Sequence, residues 1–176
     1  MRLIYNFLLL SIFLILTINL SYAEQLKIFY VDVDKIVRES NVGKKVEKDF
    51  LSLVKKKNKE FDKIEKDLKK KDSDLIKQKN ILSKDELSKK IKSLEKEIKS
   101  YRTDKSKFNQ NISQKKLRAT SEMVVYLNRI LGKYATDNSA TLIIQKKNIV
   151  IGKTELDITK PILKIFNEEV KDVKLN

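Results

Sequence analysis

Apolar residues recur at every seventh position through the first half of a long lysine-rich stretch: Val54, Phe61, Leu68, Leu75 and Leu82, with Phe50 and Ile64 at intervening positions. That spacing is the a/d seam of a coiled coil. In the second half Leu87, Ile91, Leu94, Ile98, Tyr101, Phe108 and Ile112 follow the same alternation of four and three. Between the halves, Ser83 and Glu86 have the spacing of a capping box, which starts a new helix. Residues 43–134 are therefore predicted to form two long helices folded back on each other, with no proline and only Gly132 as an internal glycine.

An antiparallel register follows from placing Leu82 opposite Leu87 across the turn. Leu75 then meets Leu94, Leu68 meets Tyr101, Phe61 meets Phe108 and Phe50 meets Ala119. The layers between them are mixed: Gln78 with Ile91, Lys71 with Ile98, Ile64 with Lys105 and Lys57 with Ile112. A lysine at such a position packs its stem and sends its ammonium to water. Each mixed layer gives up part of the roughly 1.5–3 kcal/mol that a buried aliphatic side chain contributes. The arm is thus expected to be helical but soft. Leu51, Leu53, Ile76 and Ile81 fall off the seam and are candidate contacts for a bound client chain.

The flanking segments read differently. Residues 26–33 carry Ile28, Tyr30, Val31 and Val33, a β-strand pattern. Asp34 is placed to cap a short helical turn over residues 35–39, and Ser40-Asn41-Val42-Gly43 supplies turn and cap residues before the arm. After residues 135–139, which break the helical pattern, residues 141–145 and 149–151 read as two strands joined by a hairpin turn at Lys146-Lys147-Asn148. A last helix begins near residues 157–159. Pro161 is tolerated in its first turn, and Ile162, Leu163, Ile165, Phe166 and Val170 form its apolar face.

The fold class is accordingly α+β: a long antiparallel helical hairpin, residues 43–134, inserted into a small β-sheet body made of residues 24–42 and 135–176. Three short strands and two small helices bury little core alone, and their sheet has exposed edges. The body is therefore expected to oligomerise through Ile28, Tyr30, Val31, Val33, Leu142, Ile144, Ile149 and Ile151. Each copy would project one arm from a shared base.

The N-terminus sets the compartment. Residues 8–20 are apolar apart from Ser11, Thr17 and Asn19, and Ser21-Tyr22-Ala23 places small residues at both positions that a signal peptidase inspects. Residues 1–23 thus read as a signal peptide cleaved after Ala23. The alternative is an uncleaved anchor helix, which would make the protein a membrane-anchored coiled-coil spacer in the cell envelope. Finding Glu24 as the mature N-terminus removes that version.

Composition narrows the chemistry. Lys and Arg number 39 against 24 acids in 176 residues, and residues 1–23 contain only Arg2 among them, so the basicity belongs to the exported protein. Such charge attracts nucleic acid, anionic lipid or any acidic polymer, but no motif for reading bases is present, and export takes the chain away from DNA. There is no cysteine and no histidine. That excludes a thiol catalyst or thiolate metal site and removes the commonest general base. Asp32 and Asp34 have no histidine, glutamate pair or glycine-rich loop nearby to complete a metal or acid/base site, and strand end with helix cap accounts for them better. No cofactor and no catalytic residue is assigned.

This order of pieces resembles the Skp/OmpH family of periplasmic chaperones. The resemblance rests on the signal peptide, the opening strand Ile28-Phe29-Tyr30-Val31-Asp32, the Ser40-Asn41-Val42-Gly43-Lys44 lead-in to the first arm helix, and the basic hairpin. It continues through Ala140-Thr141-Leu142-Ile143-Ile144 and the Leu156-Asp157-Ile158-Thr159 lead-in to the last helix. It implies a homotrimer with a β-sheet body and three arms enclosing a cavity. It also implies ATP-independent holding of unfolded outer-membrane proteins in the periplasm, with anionic lipid or lipopolysaccharide as further partners. Independently of the family, a client without fixed sequence is best held by many weak contacts on an adaptable surface, which suits soft arms with distributed charge.

Overall fold

A computed structural model describes residues 26–175. The expected signal peptide, residues 1–23, lies outside the described residues. The elements in chain order are β1 (Ile28–Val31), α1 (Val33–Glu39), α2 (Asn41–Gln78), α3 (Lys84–Asp137), β2 (Leu142–Gln145) and α4 (Thr159–Glu169). Short 3-10 turns at Lys146–Asn148 and Thr154–Leu156 separate the last two. Helices α2 and α3, of 38 and 54 residues, are the two limbs of the arm. At a rise of ~1.5 Å per residue they extend about 57 and 81 Å.

The two strands pair in parallel, with Ile28 opposite Leu142 and Tyr30 opposite Ile144. Parallel neighbours need a crossover connection. Here the crossover is the whole arm, so the hairpin is anchored at both roots in one sheet. Among the described residues the sheet is two-stranded, and the predicted hairpin at Lys146-Lys147-Asn148 does not form. After Gln145 the chain turns away, and the Lys146 ammonium meets the Asp157 carboxylate at 2.6 Å. The following segment then crosses the outer side of Tyr30, whose hydroxyl donates to the Lys153 carbonyl at 3.1 Å. Gly152 permits that crossing, because a Cβ there would stand 2.9 Å from the Tyr30 ring. Residues 149–151 are consequently outside the sheet, and Val150 and Ile151 are almost fully exposed.

Phe29 and Val31 turn the other face of the sheet into the core. There they join Ile36 of α1, Ile158, Ile162 and Phe166 around α4, and Ala119, Met123, Leu127 and Ile130 of α3. The root of the arm therefore supplies the apolar surface that the strands and small helices lack. Val173 packs into the same core from beyond α4, and Lys45 of α2 holds Asp172 at 2.7 Å.

Capping explains most element starts. Asp32, rather than the expected Asp34, caps α1 by accepting from the Lys35 amide at 2.8 Å, which leaves Asp34 in the first turn of the helix. The reason is the strand's length: β1 ends at Val31, two residues earlier than predicted, so the first available cap is Asp32. Ser40 caps α2 through the Gly43 amide at 3.1 Å, so α1 passes into α2 with a single non-helical residue between them. Ser83 and Glu86 form the reciprocal capping box at the start of α3.

Candidate functional site

The surfaces with functional potential are the arm and the exposed edge of the body. On the arm, the seam is dry in places only. Phe61, Leu68, Leu94 and Ile112 are buried, whereas Phe50, Val54, Leu75, Leu82, Leu87, Ile98, Tyr101 and Phe108 are half-buried. Ile64 and Ile91 remain 44% and 39% exposed, because two helices alone cover a narrow strip and each faces a polar layer. The Phe61 ring lies between Tyr101 and Phe108, edge-on to both at centroid distances of 5.9 and 5.8 Å. This aromatic cluster is the best-packed layer midway along the arm.

Every mixed layer of the register has its polar group occupied. Lys71 bridges Asp67 and Glu97 at 3.1 and 2.7 Å. Lys90 donates to the Gln78 side-chain Oε1 at 2.9 Å. Lys57 donates to Glu60 at 2.8 Å, with its ammonium 5.3 Å from the Phe61 ring centre. Lys105 donates to the Tyr101 hydroxyl at 3.1 Å, which in turn donates to Glu65 at 3.0 Å. The Glu65 carboxyl is held below its ordinary pKa by Lys69 and then by Tyr101, and hydrogen bonds from Lys71 to Glu97 and Asp67 raise the Lys71 ammonium. These groups are exposed or half-buried at the arm surface, where water and salt screen the charges, so they fix geometry more than they add stability. Backbone amides in residues 57–112 are accordingly expected to exchange hydrogen much faster than those of β1 and α4. Amide-resolved mass spectrometry checks this, and equally slow exchange in arm and body would contradict a soft arm.

The four off-seam residues are exposed: Leu51 at 56%, Leu53 at 38%, Ile76 at 67% and Ile81 at 83%. They do not form one patch. Ile76 and Ile81 lie at the tip, Leu51 and Leu53 near the root. Leu117 and Val125 on α3 are equally exposed; the seam pattern does not single them out, because neither occupies a seam position.

In the body, Tyr30 and Val31 are buried within the protomer, and Val33, Ile144 and Ile149 are half-buried. Ile28, Leu142 and Ile151 stay exposed, with Ile28 and Leu142 side by side across the strand pair. Among the described residues strand β2 has β1 as its sole neighbour and forms an edge of the sheet. Beside it the loop is locked by Asp157, which accepts from Lys146 and from the Thr159 amide. Partial burial pushes the Asp157 carboxyl up, but the hydrogen bonds from Lys146 and Thr159 and the nearby ammonium outweigh it and leave the group below its ordinary value. Its stabilising contribution is therefore complete above the unfolded pKa of about 4 and is lost as pH falls through the folded value. Thermal melts should show wild type losing stability on acidification faster than Asp157→Asn. Parallel pH profiles would contradict the lock.

Among the described residues no group of three acids is placed to hold a metal ion, and no helix is long and apolar enough to cross a membrane.

Comparison with known proteins places this geometry. Residues 27–166 match the family model for outer membrane proteins of the OmpH-like type. A crystal structure of a proposed outer membrane chaperone (OmpH-like) from Caulobacter crescentus superposes with a TM-score of 0.78 at 15% identity, over 85% of this chain and 88% of that one. No curated protein matches the sequence. At that identity the structural likeness speaks for the fold, and the family model for descent.

Proposed function

The chain belongs to the OmpH-like family, and from that premise we propose that it is a periplasmic, ATP-independent holdase for unfolded outer-membrane proteins. The observation that carries this reading is the arm itself: a long basic hairpin, rooted in a small body, whose seam alternates aromatic or aliphatic layers with hydrated ion pairs. Such a surface adapts to many sequences and offers no rigid pocket for a single one. A soft arm also needs no nucleotide to open, since its mixed layers exchange one set of hydrated contacts for another.

The working form is a homotrimer, with three arms enclosing a client. The exposed Ile28 and Leu142, the outer edge of β2 and the almost fully exposed Val150 and Ile151 support this reading, because an apolar strand edge of this kind calls for a partner. The lysine-covered arms make acidic clients, anionic lipid and lipopolysaccharide favourable secondary partners. The test is to dilute an unfolded outer-membrane β-barrel into buffer with the purified mature protein, following light scattering and the mass of the complex. Suppressed aggregation at one trimer per client is expected. Undiminished aggregation at that ratio overturns the assignment.

A further inference from the structure

At the arm root, where α1, α2 and α3 converge, a groove of about 750 Å³ opens to solvent. Its size and mostly apolar lining are those of a ligand site rather than a packing defect. The floor is Val46 and Met123, both buried members of the core, and the exposed Leu51 forms the lip. Methionine in the floor matters, since its unbranched thioether adapts to apolar groups of different shape. Cations stand on all three helices around it: Arg38 on α1, Lys44 and Lys48 on α2, and Lys116 on α3. The one carboxylate in the lining, Glu47, is bound to Lys116 at 2.7 Å. Arg38 in turn lies 3.6 Å from Glu39, so the rim's surplus of positive charge rests on Lys44 and Lys48, with Lys116 shared across the groove with Glu47.

We propose that this groove is the anchoring subsite for a client, taking an extended segment in which an apolar side chain is flanked by carboxylates. The inference rests on the holdase reading and gives it a specificity that soft arms alone do not have. A segment of this pattern seats its apolar group on Val46 and Met123 while one carboxylate reaches Lys44 and Lys48 and another takes the exposed Lys116 from Glu47 across the groove, an exchange that costs little between solvated ion pairs. A lipid would present charge at one end of its chain, which matches a rim with cations at one end. These cations come from three helices. Peptide complementarity is the better fit, and lipid binding is an outcome of the test.

The probe is a labelled synthetic peptide with alternating phenylalanine and glutamate, followed by fluorescence anisotropy with the purified full-length mature protein. Two controls replace glutamate by lysine or phenylalanine by serine. The parent peptide is expected to bind roughly tenfold more tightly than either control. Leu51→Glu, which puts a negative charge on the exposed lip, should abolish that preference, whereas Ile76→Glu at the tip should leave it intact. Lys44→Gln with Lys48→Gln should weaken the parent peptide and flatten its salt dependence, which keeps the test open if Leu51→Glu fails to fold. Equal affinity for the three peptides, an unchanged preference in Leu51→Glu, or displacement of the parent peptide by phosphatidylglycerol vesicles but not by unlabelled peptide would each overturn the proposal. The two readings separate cleanly. If wild type suppresses barrel aggregation but lacks the charge preference, the groove assignment falls and the holdase stands. If the preference is present without suppression, the groove stands as a site for acidic-apolar peptide, and its role as a client anchor falls with the holdase reading.

Discussion

Phe166→Ala is expected to lower the stability of the body by about 3–5 kcal/mol, the range for truncating a fully buried aromatic side chain. Phe166 is 0% exposed. It sits in the cluster where α4 meets α1, the β1 face and the root of α3, so the cavity it leaves is walled by three separate elements and cannot collapse by moving one. The melting temperature of the body should fall by roughly 10 °C. Residues 57–112 supply no side chain to this core, so hydrogen exchange there should change far less than in the body. A variant that melts with wild type would mean that the core is not organised around α4.

Gly43→Ala is the second large effect, and its sign is the informative part. Alanine in place of glycine inside an exposed helix normally stabilises by about 0.5–1 kcal/mol. Gly43 is different, because its added Cβ would run into the carbonyl oxygen of Val37 and approach Ser40 Oγ at 2.9 Å. A backbone oxygen at the end of α1 cannot rotate aside as a long side chain can. Overpacking of this type costs about 1–3 kcal/mol or more, which outweighs the propensity gain. Gly132 provides the contrast, since a Cβ there meets nothing within 4 Å. Gly132→Ala should raise the melting temperature while Gly43→Ala lowers it. Chemical denaturation of both variants measures the two signs side by side, and stabilisation by both would show that α1 can move away from α2.

The arm was legible because its information is local. Seven-residue periodicity, the Ser83 and Glu86 box and the absence of proline lie within a few turns of one another, and the register they imply brings Phe61 against Phe108 as expected. Polar layers were legible for the same reason. The body was harder to read, because its pairing is set by residues more than a hundred positions apart. Strand β2 is a strand in either arrangement, but only its parallel pairing with β1, across the whole arm, decides which edge it uses. Ile149, Val150 and Ile151 have strand-like composition and still leave the sheet, since Lys146 binds Asp157 and Tyr30 claims the space beside them. Gly152 was the available signal: a glycine directly after a β-rich run often marks a close backbone approach. The contribution of α3 to the body core had a signal too, in the continuation of apolar residues from Ala119 through Met123 and Leu127 to Ile130. The coiled-coil register assigned Ala119 alone, opposite Phe50, because the body residues that Met123, Leu127 and Ile130 pack with lie outside the hairpin. The root groove draws on α1, α2 and α3, and no single stretch of sequence displays it.

The proposed holdase function puts the client against the arms. The chain has no cysteine, so a single introduced cysteine carries a photo-crosslinker at one known position. Attached in turn at Leu51, Ile76, Ile81 and, at the end of α3 opposite the arm tip, Asp137, it reports which surfaces touch an unfolded outer-membrane barrel during aggregation suppression. Crosslinks to client from the three arm positions and none from Asp137 are the expected result. Crosslinks from Asp137 alone, with suppression intact, would contradict it.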